Sequence, residues 1–215
     1  MRYDHTLRAL RALAVPLLIA LAACRGEPRP ASGAVPANAP SAAGAAPAPG
    51  VIDSAVPIPE LLRRFRRNTP PVAALADAPT SREALVARFA RALAAADSAT
   101  LARLALSRAE FAWLYYPESP LARPPYELSP GMMWFQIVAN DRKGLGRLLR
   151  AHRAKPFRID GHRCEPPLRQ GPNVVYNRCV ALVRDRGGQR AEAELFGSIL
   201  ERDGRFKFVS YANGL

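Results

Sequence analysis

Three thiols, three imidazoles and scattered carboxylates are the groups in this chain that could do chemistry. Asp160 and His162 stand two apart in a run of alternating character, so on a strand both would share one face. A carboxylate beside an imidazole can make a general base. The bland reading is a polar outer face with a partly solvated histidine, and it is the preferred one, so no catalytic residue is assigned. His152 falls near a helix end, where it would meet terminal carbonyls. Tyr115, Tyr116 and Tyr126 flank a proline-rich stretch and could rim a pocket or pack against strands. Ser107, Ser119 and Ser129 lack a nucleophile-elbow glycine pattern. No P-loop or dinucleotide fingerprint occurs, and no cysteine or histidine cluster has zinc spacing. Neither a metal nor a nucleotide cofactor is expected.

The thiols divide into one and two. Cys24 closes an uncharged run, 12–23, behind a start that carries Arg2, Arg8 and Arg11 against Asp4. That run is too short for a helix across a hydrocarbon core of about 30 Å, which takes roughly 20 residues, but it suits the apolar region of a signal peptide. Leu21-Ala22-Ala23-Cys24 resembles the bacterial lipobox. The resemblance implies cleavage before Cys24, a diacylglyceryl group on its thiol and usually an acyl group on its new amine. Its partner would then be membrane lipid, and its address the cell envelope, on the periplasmic side of the outer or inner membrane. Two acyl chains suffice for stable residence in a bilayer. In that oxidising compartment the remaining Cys164 and Cys179 read as one disulfide.

The charge balance is strongly basic, with 31 Lys and Arg against 18 Asp and Glu, and only Lys143, Lys155 and Lys207 are lysine. An arginine-rich surface would suit a polyanion. An envelope address argues against nucleic acid and leaves anionic glycolipid or polymer.

The elements that must position these groups follow from pattern. Residues 25–57 are rich in Pro, Ala, Gly and Ser and cannot bury enough apolar surface to form a core. They read as a disordered tether spanning on the order of 30 Å. Within 58–79, Leu61, Leu62 and Phe65 would lie on one side of a short amphipathic helix. It could dock on the domain, lie on an anionic membrane surface or stay mobile. The folded domain is expected from about Thr80, where Thr80 and Glu83 form a capping-box pattern. Leu85, Phe89 and Leu93 continue it at helical spacing. A helix over about 99–106 and a short one after Ser107 and Glu110 should follow. A proline-rich loop comes next. Met132, Met133, Trp134 and Phe135 then read as a core helix, and Gly144 and Gly146 weaken the segment that ends near His152.

From Pro156 the period becomes two. Four strands are expected over 157–164, 173–183, 190–201 and 205–211, with Asp203-Gly204 as a tight hairpin turn. If Cys164 faces Cys179, the first connection is centred between Gly171 and Pro172, where turn residues stand. Opposed β-carbons are close enough there for a disulfide. Helices followed by an antiparallel meander give an α+β class.

Residues 80–215 resemble the NTF2-like (SnoaL-like, cystatin-like) superfamily. The resemblance lies in Ser81-Arg82-Glu83-Ala84-Leu85, in Asp97-Ser98-Ala99-Thr100-Leu101-Ala102-Arg103-Leu104, and in Leu200-Glu201-Arg202-Asp203-Gly204-Arg205-Phe206-Lys207-Phe208-Val209. It implies a curved four-stranded sheet wrapped by helices into a cone with a pocket. The family's catalytic motifs do not map onto this chain, and residues 111–127 are too proline-rich to supply a strand the family usually has there. The expectation is therefore an anchored protein that binds a small hydrophobic ligand or an envelope protein without catalysis. Two alternatives stay open: a pocket enzyme using acid–base chemistry on a small organic molecule, and an arginine-mediated binder of anionic envelope material. The oligomeric state is not legible.

Overall fold

The computed structural model describes residues 56–214. The expected signal segment 1–23, Cys24 and nearly all of the expected tether lie outside the described residues. The described chain is α+β, with helices first and antiparallel strands after.

Helix α1, Ile58–Arg66, opens with Pro59 in its first turn and packs Ile58, Leu62 and Phe65 against the body of the domain. Of the three readings for this segment the structure has the docked one. The core also begins earlier than Thr80: Thr69, Leu75 and Ala78 are buried. Helix α2, Arg82–Ala94, is capped by Ser81, which accepts from the Ala84 N–H at 3.0 Å, so the cap falls one residue later than expected. Helix α3, Ser98–Leu104, is capped by Asp97, and the one-turn helix α4, Arg108–Glu110, carries the capping box of Ser107 and Glu110. A π-turn, Phe111–Tyr115, and short 3₁₀ turns lead into the proline loop.

Helix α5, Pro130–Ala154, is one element of 25 residues. The two glycines were expected to weaken it, but Gly144 has a different purpose. A side-chain carbon there would run into the backbone carbonyl of Tyr211. The chain's last residues cross the helix at that point. The Tyr211 N–H donates to Asp141 at 2.6 Å, Asn213 Nδ2 donates to the Gly144 carbonyl at 2.9 Å, and Arg147 donates to the Asn213 carbonyl at 3.0 Å.

The expected four strands appear as seven, β1 Phe157–Arg163, β2 Leu168–Gln170, β3 Asn173–Tyr176, β4 Val180–Asp185, β5 Arg190–Ala193, β6 Ile199–Arg202 and β7 Arg205–Phe208. They form two sheets of order β1-β4-β5 and β2-β3-β6-β7. The second and third runs are each broken near the middle, and β2 forms within the expected connection after the first, so a single continuous sheet is corrected to two. The register is continuous across the break. Arg163 opposes Val180 on one side and Leu168 opposes Val175 on the other, centred on Gly171-Pro172 as the cysteine positions required. Cys164 and Cys179 are joined by a disulfide at the break itself. Closing a 15-residue separation contributes about 3 kcal/mol through the unfolded state.

Two apolar clusters fill the interior. In one, Phe89 of α2 lies edge-on to Phe196 and Phe208 and stacks on Tyr211, at ring separations of 5.4, 5.5 and 5.9 Å. In the other, Phe111 touches Phe65, Tyr116 and Trp134. Between the helices and β7 sits a buried ion pair. Lys207 Nζ lies 2.9 Å from Glu110 Oε1 and 3.0 Å from Oε2. The same carboxylate accepts the Ala76 and Ser107 N–H groups, each at 2.7 Å.

This arrangement predicts unequal effects at its two ends. Glu110→Ala strands a buried ammonium and two N–H groups and should cost about 3–5 kcal/mol in denaturant unfolding. Lys207→Met leaves Glu110 with both N–H donors and should cost less. Equal losses from the two variants would show that the N–H contacts to Glu110 carry no weight.

Candidate functional site

Asp160 and His162 are not brought together. Ile159 opposes Val183 and Gly161 opposes Leu182, so Asp160 is an extra residue in the ladder. A bulge of this kind re-aims the side chains on either side of it. Asp160 turns outward and is bound by Arg184 at 2.7 Å. His162 turns inward beside Arg82 and Glu83, and burial, aided by the Arg82 charge, pushes its pKa down. The period-two argument fails at one inserted residue, and with it the shared face.

The remaining candidates are placed as follows. Tyr115 and Tyr116 are buried, and the Tyr116 hydroxyl donates to the Leu128 carbonyl at 2.7 Å. Tyr126 is exposed. His152 does not meet helix-end carbonyls through Nδ1, which has no partner; its ring stands edge-on to Phe157 at 4.8 Å and burial lowers its pKa. Among the described residues, no group of three or more His, Cys, Asp or Glu side chains could hold a metal ion.

The interior between helices and strands, where the family resemblance implies a pocket, is occupied by the Phe89, Phe196, Phe208 and Tyr211 rings. The Tyr211 hydroxyl reaches through it to the Leu101 carbonyl at 2.6 Å. Room for a ligand is found on the outside. A groove of about 530 Å³ runs between the ends of α2 and α5. Leu93, Ala94, Ala96, Leu149 and Pro156 line it as an apolar floor, and Arg150, His152 and Arg153 form its polar side. Arg150 and Arg153 have no carboxylate partner among the described residues. The imidazole here has no carboxylate to orient it, so the groove can hold an apolar molecule with a negative end but has no assembled acid–base pair.

A second groove, about 500 Å³, separates α1 from α5. Phe65, Trp134, Phe135 and Val138 line it with Arg108 and Arg142. Here the sequence expectation is corrected. Met133 and Ile137 are core, but Met132 is 51% and Phe135 68% exposed. Only one side of α5 meets the domain, and the apolar run is wider than that side.

Asp141 is the titratable group that sequence reading missed. Burial raises its pKa to about 6, partly offset by the Tyr211 N–H it accepts. Nothing local in the sequence signals it, because its burial comes from the chain end crossing α5 at Gly144. Because the folded pKa lies above the unfolded value of about 3.9, the folded domain is penalised once the pH exceeds both. The penalty is absent below about pH 4, grows between 4 and 6, and is complete above 6. Asp141→Asn, which keeps an acceptor for Tyr211, should therefore stabilise the domain at pH 7.5 by about 1–2 kcal/mol and leave it unchanged at pH 3.5. A thermal-unfolding series against pH that ran parallel for both proteins would rule this out. No family model matches the chain, and no curated protein and no solved structure matches it either.

Proposed function

We propose that this chain is an envelope lipoprotein, held to a membrane by acyl chains on Cys24, whose domain binds a ligand without catalysing a reaction. One observation carries the second half of that reading. The interior that could have formed a reaction chamber is filled by four aromatic rings, while open apolar space lies on the surface. Asp160 and His162 on opposite faces of β1 weigh in the same direction. The helices-first order and the sheet bent at Cys164–Cys179 support an NTF2-like cone whose usual cavity has been filled.

The groove between α2 and α5 is the proposed binding place, and its chemistry suits a small apolar molecule with an anionic end. The arginines there also give some weight to a second reading, binding of anionic envelope glycolipid. The enzyme reading is the weaker one, since His152 lacks an orienting carboxylate.

The anchor is tested by intact mass. Protein extracted from membranes should begin at Cys24 and carry diacylglyceryl and acyl additions. A chain recovered from cytosol at its unprocessed mass would remove the anchor. The groove is tested with anilinonaphthalene sulfonate, an apolar anion that fluoresces when sheltered from water. Ala94→Glu, a change at an exposed lining position, should weaken dye binding about tenfold through charge and bulk. His162→Ala should leave it unchanged. Unaltered binding by Ala94→Glu would remove the groove from the proposal.

A further inference from the structure

The α1–α5 face has features that neither the fold nor ligand binding in the other groove requires. Single exposed apolar side chains are ordinary, but several gathered on one face mark a surface that meets a partner. On α5, Met132 and Phe135 stand three residues apart and so share one side of the helix, with Ala139 and Arg142 continuing the same stripe. Met132 is half exposed and Phe135 two-thirds exposed, and Tyr126, from the loop before the helix, is 66% exposed. Phe135 and Arg142 line the groove together with Phe65 and Arg108.

The charge on these two helices has one sign. Within α1 and α5, Glu60 and Asp141 are the only acids, against Arg63, Arg64, Arg66, Arg142, Lys143, Arg147, Arg150 and Arg153. Glu60 is held well below the usual carboxylate range, to about 2, by hydrogen bonds from Arg63 and Arg64. Asp141 is turned inward to the Tyr211 N–H. Arg67, at the end of α1, is exposed, as is Arg142. Neither has a carboxylate partner among the described residues. Arg108 stands over the Phe65 ring at 4.0 Å and so holds a cation at the mouth of the groove.

Exposed aromatic and thioether side chains beside unpaired arginines match the two attractions of a membrane surface. Apolar groups enter the acyl boundary while cations meet anionic headgroups. Position in the chain selects the same occupant, because α1 is the first element after the tether. We infer that the α1–α5 face, centred on Met132, Phe135 and Arg142, lies against the headgroup layer of an anionic bilayer. The choice of a bilayer over another surface rests on the anchored reading of Cys24. The contact itself needs no acyl chain. It would hold the domain down on the membrane.

The test uses the chain from residue 25 onward, which has no acylated cysteine, so its result is independent of whether Cys24 is modified in the native protein. It is mixed with vesicles of phosphatidylcholine alone or with about one-third phosphatidylglycerol. Partitioning should be at least about tenfold stronger on the anionic vesicles and should weaken as salt is raised. Phe135→Ser should reduce it about tenfold, by removing a ring from the acyl boundary. Arg142→Gln should reduce it about fivefold. Leu182→Ser, an exposed apolar change on β4, should have no effect. Because Phe135 is exposed, its variant should melt like the parent, which separates lost contact from lost fold. Equal binding to both vesicle types, or an unchanged Phe135→Ser, would overturn the inference. So would a dimer in vesicle-free solution that Phe135→Ser dissociates, since the face would then belong to a second copy of the chain.

Discussion

Glu110 and Lys207 meet where almost no water reaches them, and the chain is arranged so that neither is left uncompensated. A buried carboxylate and ammonium together are no guarantee of stability, because desolvation can consume their attraction. What makes this pair tolerable is the number of other donors. The carboxylate closes the Ser107 capping box, takes the Ala76 N–H and receives Lys207. Three segments distant in sequence, 70–79, α4 and β7, are thereby fixed to one point. Around it, Phe206 donates to the Pro79 carbonyl, Arg205 to the Ala78 carbonyl, and Leu106 to the Phe208 carbonyl. These contacts cover the outer edge of β7, which would otherwise offer unpaired backbone groups to another chain.

The second constraint is the break between the sheets. One hairpin register runs through both, and the disulfide sits where one sheet gives way to the other. Cys179 is buried and Cys164 packs on the same cluster, so the crosslink is part of the core as well as a clamp. The interior against the sheets is filled by Phe89 from α2 and by Tyr211 from the chain end. Open apolar space is consequently found at the margins of the helical layer. There the ends of α2 and α5, and the seam between α1 and α5, leave room.

Much of the fold was legible because it depends on local rules. The capping box at Ser107 and Glu110 was marked, the start of α2 was placed within one residue of Ser81, and the Asp203-Gly204 turn and the Gly171-Pro172 centre fixed two hairpins. The illegible parts are those where a distant segment overrides a local signal. Gly144 looked like a helix breaker, and only the crossing of Tyr211 reveals a close approach. A single inserted residue at Asp160 reversed the pattern that had paired it with His162. Met132 and Phe135 looked like core because composition reports apolarity and does not report how much of a helix its neighbours can cover. The ion pair was invisible for the same reason, since nothing local links residue 110 to residue 207. The thiol arithmetic that paired Cys164 with Cys179 worked because the turn residues independently specified the same register.

The order in which the pieces become available has a consequence for biogenesis. Strand β7 and the residues after it complete the aromatic cluster, the buried charge pair and the crossing over α5, so the earlier helices have no finished surface to settle on until the carboxyl end arrives. Loop closure over such separations is slow compared with helix formation. A polypeptide built in this way cannot complete its core until its last strand has been made. Tightening is postponed until the whole length is available and Cys164 can meet Cys179.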